Sequence, residues 1–285
     1  MRTILFPTDF SSNAENAFVY ALYLAAKRNN KIKVLHVYNE KDLGNSTKVL
    51  HEQELQLALN RFIMKGINTR NRRLKEEIAT IPIESAIACG DILEQIMIFS
   101  NAPAVNLIVM GTVGMHKMPQ AGLGSTTANL LSNTTKTVLA IPEVCSYSDI
   151  KKIGFAVDYD PDVLLSLYKL LDFVISLNTE LHYLHVDAAR REIRAEIITL
   201  KDIEENNIAP VLNSTLEIKT GNIILDGISQ YVKANQIDII AMVTHNRDLL
   251  HHFTQGSLTQ QMSLTSEIPI LAFHEDVLEP DTKNR

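Results

Sequence analysis

Apolar positions along this chain change period again and again. Short runs dominated by apolar residues, Lys33 to Tyr38, Ile81 to Ala88, Leu107 to Gly111 and Val138 to Ile141, read as strands. Between them lie stretches whose apolar residues recur every three or four positions. Ser12 to Arg28 is one, with Ser11 or Ser12 as its cap and Phe18, Leu22 and Ala25 on a buried face. Glu52 to Met64 and Ile92 to Phe99 behave alike, as do Val163 to Leu177, Glu192 to Ile203 and Ile223 to Val232 further on. Strands that are apolar throughout, alternating with helices, predict a parallel sheet covered on both faces and joined by right-handed crossovers.

The pattern also repeats. Ile4 to Asp9 resembles Ile153 to Asp158, and Leu35-His-Val37 returns as Leu184-His-Val186, both 149 positions on. Gly90 then matches Gly221 at 131 positions, and Asn106 to Met110 matches Asp238 to Met242 at 132. Gly124-Ser125 and Gly256-Ser257, and Leu139-Ala140 and Leu271-Ala272, keep that spacing. A duplicated α/β unit is therefore expected, with domains at 1–145 and 150–277, a linker from Cys145 to Asp149 and a tail at 278–285. The fall in offset places about 18 extra residues in the first unit, mostly in the polar stretch Asn39 to Lys48, read as a solvated loop.

Length agrees, since 285 residues are ample for two cores. The formal charge of −6 provides no basic field, which argues against nucleic acid as a partner. Cys89 and Cys145 are too few for a disulfide framework or a four-thiolate zinc site and read as structural thiols in a reducing compartment. The start of the sequence has no signal-peptide pattern and no apolar run is long enough to cross a bilayer, so a cytoplasmic protein with no membrane partner is expected.

Candidate chemistry gathers at two turns. In an open doubly wound sheet, ligands bind beyond the carboxyl ends of the strands, where strand order reverses. After the first strand stand Pro7, Thr8 and Asp9; after the fourth stand Met110, Gly111, Thr112 and Gly114, and nine residues later Gly124, Ser125 and Thr126. Glycines admit phosphate oxygens to backbone amides, and a helix opening at Ser125 favours an anion. Asp9, an acceptor when ionised, suits ribose hydroxyls and would repel a phosphate.

With this glycine spacing, the Asp after strand one and the His-Val closing strand two, the chain resembles the universal stress protein family over essentially its whole length. The resemblance implies two tandem doubly wound domains, each a five-stranded parallel sheet of order 3-2-1-4-5, paired through their fifth strands as an internal pseudo-dimer. It implies ATP, with or without Mg²⁺, in the first domain. Asp9 would contact ribose, the backbone of Val37 adenine, and Gly111, Gly114, Gly124 and Ser125 the phosphates. Thr137-Val138 departs from the family, many members having proline there. The second unit departs further, with Val243 and Asn246 in place of Gly111 and Gly114. A β-branched Val243 is expected to strain the turn and crowd phosphates, so ATP is expected in the first unit alone.

Other features carry bland readings. His36 and His185 read as packed strand-end residues. His245, His251 and His252 read as a surface loop, Met110, Met115 and Met118 as gap fillers, and Arg70 to Lys75 as a solvated face. His116 and Lys117 either pair with phosphate or face solvent. The expected function is a nucleotide-dependent regulatory or stress-response module. Its alternatives are a slow ATPase and a scaffold whose second domain binds another small molecule. No Gly-Lys-Ser/Thr ending and no clear base support catalysis. Further self-association and a protein partner are left open.

Overall fold

In a computed structural model the chain is described at residues 1–44, 46–68, 76–112, 125–156, 163–187, 214–220, 224–244 and 267–274. Ten strands form one sheet. They are β1 (Thr3–Pro7), β2 (Lys31–Tyr38), β3 (Ile83–Cys89), β4 (Val105–Thr112), β5 (Thr137–Pro142), β6 (Lys152–Ala156), β7 (Glu180–Asp187), β8 (Ser214–Thr220), β9 (Ile239–Thr244) and β10 (Ile270–His274). The helices among the described residues include α1 (Ser12–Arg28), α2 (Lys48–Ile67), α3 (Ile92–Ser100), α4 (Ser125–Asn133), α5 (Val163–Leu177) and α6 (Ile224–Asn235).

The strand order is β3-β2-β1-β4-β5-β10-β9-β6-β7-β8. Each half is parallel throughout in the order 3-2-1-4-5, and the halves meet where β5 and β10 run antiparallel. At that seam Val138, Leu139 and Ala140 stand opposite Ala272, Leu271 and Ile270.

Strand residues alternate between two apolar layers. Ile4, Phe6, Val34, Leu107, Val109 and Leu139 pack with α1, α2 and α5 in a layer that continues through Phe155 and Phe273. Leu5, Leu35, Ile108 and Met110 turn the other way, onto Ile96 of α3 and Leu130 and Leu131 of α4. Ile228 and Tyr231 of α6 cover that same side of the C-terminal half with Ile240 and Met242. Burial on both faces explains why these strands read as continuous apolar runs. Helix α1 has the expected bounds. Ser11 caps it by accepting from the Ala14 amide at 3.2 Å, and Asn29, at φ 51°, closes it in the left-handed region with its N–H on the Ala25 carbonyl.

Several differences have simple causes. The stretch Asn39 to Lys48 is not all loop: Glu40–Leu43 is a 3₁₀ turn with a capping box between Asn39 and Asp42, and none of it is buried. Helix α2 starts at Lys48, four residues early, because Thr47 accepts from the Leu50 amide. Thr137 is buried in β5, paired with Leu107. Both cysteines are free; the Cys145 thiol donates to the Glu267 carbonyl at 2.8 Å, and burial pushes its pKa up to about 12. The expected helix Glu192 to Ile203 and the run Arg70 to Lys75 lie outside the described residues. No helix among the described residues is long and apolar enough to cross a membrane.

A polar staple joins the halves. The Arg28 side chain is 4% exposed, lies 3.8 Å over the Phe173 ring and donates to Asp172 Oδ2 at 2.6 Å and Ser176 Oγ at 2.8 Å. Arg2 reaches the same carboxylate at 2.8 Å. Burial lowers the Arg28 pKa despite Asp172, yet leaves the group a cation at any ordinary pH. Burial alone would raise the Asp172 carboxyl; the two guanidiniums outweigh it and hold the carboxyl below its ordinary value. A depressed carboxyl pKa contributes stability above the unfolded-state value and loses it as pH falls through the folded-state value. Asp172→Asn is therefore expected to cost about 1–2 kcal/mol at pH 7, reduced because the carboxylate is half exposed. In urea unfolding the gap to wild type should shrink below about pH 4; a constant gap would mean that shape rather than charge matters.

Candidate functional site

The turn after β1 is fixed by four hydrogen bonds and one ring contact. The Thr8 amide donates to the Leu35 carbonyl at 2.9 Å, holding the turn to β2. Thr8 Oγ1 accepts from the Phe10 amide and Asp9 Oδ1 from the Ser11 amide, both at 3.0 Å. Phe10 sits at φ 63°, a costly value for an aromatic residue, and its ring stacks on His36 at 4.3 Å. His36 Nδ1 lies 2.8 Å from the Thr8 carbonyl, so that nitrogen carries the proton. The histidine is a half-buried structural residue that clamps this turn. Its counterpart His185 has a side chain outside the described residues.

Across the sheet, the end of β4 is tied to two helices. Asn13 of α1 donates through Nδ2 to the Thr112 carbonyl, and Thr127 of α4 donates to the Gly111 carbonyl at 3.2 Å. Asn13 is 6% exposed and its Oδ1 is buried without a partner. A Cβ built on Gly111 would lie 2.8 Å from Asn13 Nδ2, 2.9 Å from its Cγ and 3.1 Å from its backbone oxygen. The missing side chain at Gly111 makes room for the first turn of α1.

Between these ends lies a cavity of about 190 Å³. Pro7, Thr8 and Asp9 line it from β1 and its turn, Val37 from β2, Met110 and Gly111 from β4, and Thr126 from α4. Asp9 is exposed at the rim. Thr112, expected with these, is 3% exposed and directs its hydroxyl 3.5 Å from the Ile141 carbonyl, away from the cavity. Ser125 begins α4, with its side chain outside the described residues. Gly114 and Gly124 lie outside them too, as do Met115, His116, Lys117 and Met118.

Sequence reasoning missed seven lining residues. Ser11, Asn13 and Ala14 come from the first turn of α1, Leu35 from β2, Ile92 and Ile96 from α3, and Thr127 from α4. The signal for Ile92 and Ile96 was their four-residue spacing at the start of a helix leaving the carboxyl end of a strand. Among the described lining residues Asp9 is the one ionisable group.

In the second half, Val243 lies within β9, paired with Phe273 and packed against the core. Gly111 likewise lies in β4, and its φ is not positive. The strain expected of a valine at a turn therefore does not arise. Asp158, Asn246, Gly256 and Ser257, and His245, His251 and His252, lie outside the described residues. Among the described residues no group of three or more His, Cys, Asp or Glu side chains is placed to hold a metal ion.

Residues 1–142 match the family model described as the universal stress protein family. A universal stress protein of Synechocystis sp. is 23% identical over 292 aligned positions, 96% of this chain and all of its own length. One of Methanocaldococcus jannaschii is 24% identical over 152 positions, 49% of this chain and 94% of its own. The crystal structure of a universal stress protein from Archaeoglobus fulgidus superposes with a TM-score of 0.73, covering 96% of this chain and 98% of that one at 19% identity, which shows the shared fold.

Proposed function

The chain belongs to the universal stress protein family through residues 1–142, and from that premise we propose that its N-terminal half binds ATP as a regulatory module. The observation that carries this reading is the convergence of Asp9, Val37, Met110, Gly111 and Thr126, from four separate elements, on one cavity at the carboxyl ends of β1 and β4. That is the switch point of the 3-2-1-4-5 order, where α/β sheets receive nucleotides. The cavity is smaller than the ~300–1,000 Å³ that encloses a drug-sized ligand, which fits a base and ribose better than a whole triphosphate. Leu35, Val37, Ile92 and Ile96 give it an apolar wall for a purine, and Asp9 supplies the acceptor for ribose hydroxyls. The phosphates would then run toward the start of α4, where the positive end of the helix dipole favours an anion, accompanied by Mg²⁺ where their charge requires it.

Regulation is preferred to catalysis because the described lining has no lysine, arginine or histidine to neutralise charge or move a proton. The units proposed are 1–145 with the nucleotide site, 150–277 as its structural partner, and the tail 278–285.

Calorimetry with ATP and Mg²⁺ tests the reading. One ATP per chain is expected, and Asp9→Ala should weaken it about 10–100-fold by removing a charged hydrogen-bond acceptor. Gly114→Val should abolish binding, and Gly256→Val should leave it unchanged. Absence of heat at millimolar ATP would end the proposal. Equal losses from the two valine variants would end the assignment of a single site.

A further inference from the structure

Helix α2 carries two apolar stripes, and only one of them is used. Leu59 and Phe62 face the core at 0% and 6% exposure. On the opposite face Leu50, Leu57 and Met64 are 56%, 57% and 56% exposed. Positions seven apart drift by only about 20° around a helix, so these three form one line along the helix. Single exposed apolar residues are ordinary, but an aligned row on an otherwise polar face marks an interaction surface.

The charges beside the row identify its occupant. Glu54 and Arg61 are both exposed, also seven apart, and lie on the same flank of the row. The other charges of this helix have partners within the chain: Lys65 holds Glu15 at 2.6 Å, and Glu52 accepts from Tyr38 at 2.9 Å and lies 4.0 Å from Lys48. When two identical helices pack antiparallel about a twofold axis, like flanks meet. With that axis beside Leu57, Leu50 lies on Met64 of the partner subunit and Leu57 on its own counterpart. Glu54 then meets the partner subunit's Arg61, and the pair forms twice by symmetry. On the other flank, Gln53 and Asn60 meet as uncharged polar groups. Parallel packing would bring unlike flanks together and leave both charges unmatched.

We propose that two copies of this chain associate through the outer face of α2 as an antiparallel, twofold-symmetric pair. Helix α2 belongs to the β1–β5 half and touches β3, the outermost strand there, so this contact leaves the β5–β10 seam intact. The proposal does not depend on nucleotide binding.

Sedimentation velocity of the full chain from about 1 to 300 μM tests it, a range that brackets the affinity of a small interface. The wild type is expected to shift from one chain to two, and Leu57→Glu to remain a single chain throughout. Glu54→Lys should raise the dissociation constant about tenfold or more, because both symmetric pairs become repulsive. Glu54→Lys combined with Arg61→Glu should restore the wild-type value. Leu57, Glu54 and Arg61 are all exposed, so circular dichroism should show these variants folded alike. A wild type that stays single, a dimer that survives Leu57→Glu, or a double reversal no tighter than Glu54→Lys alone would each overturn the proposal.

Discussion

Replacing Gly111 with alanine is expected to destabilise the protein by about 1–3 kcal/mol, the usual cost of forcing a methyl group into a filled site. Nucleotide binding should weaken with it. The added carbon would stand 2.8 Å and 2.9 Å from Nδ2 and Cγ of Asn13. Asn13 has no easy retreat, since it is buried and its amide is committed to the Thr112 carbonyl. Relief would require the first turn of α1 to lift from β4, and Ser11, Asn13 and Ala14 of that turn line the cavity. The double variant Gly111→Ala with Asn13→Ala removes both close atoms and leaves only the Asn13 backbone oxygen at 3.1 Å. It should be more stable than the sum of the two single changes predicts, as neighbouring sites are when one clash is shared. Urea unfolding of the four proteins measures this. Simple additivity would show that the contact with Asn13 is not why glycine stands there.

Ending the chain after Ser148 is expected to yield a fragment that pairs with itself or precipitates. All six residues of β5 are buried, and Val138, Leu139 and Ala140 are covered along one edge by β10. Without β10 that strand would present unpaired amides and carbonyls between two apolar faces, the kind of edge that templates association. An antiparallel pair of β5 strands repeats the seam already present, so the fragment should run at twice its mass in light scattering. It should carry Leu57→Glu so that α2 does not contribute. A soluble single-chain fragment would show that β5 tolerates an open edge.

Much of the fold could be read from residue order because each local signal agreed with the global one. Ser11 and the apolar spacing after it mark the bounds of α1, and the offset of 132 from Asn106 to Asp238 places β9 relative to β4. The bounds of α2 were less legible, because its cap Thr47 lies within a polar stretch that reads as loop until its hydrogen bond is seen. The site was legible where it depended on backbone at strand ends, as with Pro7 to Asp9, Met110 and Gly111. It was not legible where it depended on how helices cross. Ile92 and Ile96 reach the cavity through the path of α3, and Asn13 meets Gly111 across 98 positions of sequence. Thr112, next to Gly111 in β4, is buried with its hydroxyl near the Ile141 carbonyl, a placement set by the neighbouring strand rather than by its own sequence position.

The antiparallel seam also determines the compass of the molecule. Every strand of the first half points its carboxyl end toward one rim of the sheet, and every strand of the second half points toward the other. Whatever docks over β1 and β4 therefore looks away from whatever docks over β6 and β9. A small effector cannot bridge the two, and any conversation between them has to pass through the body of the sheet.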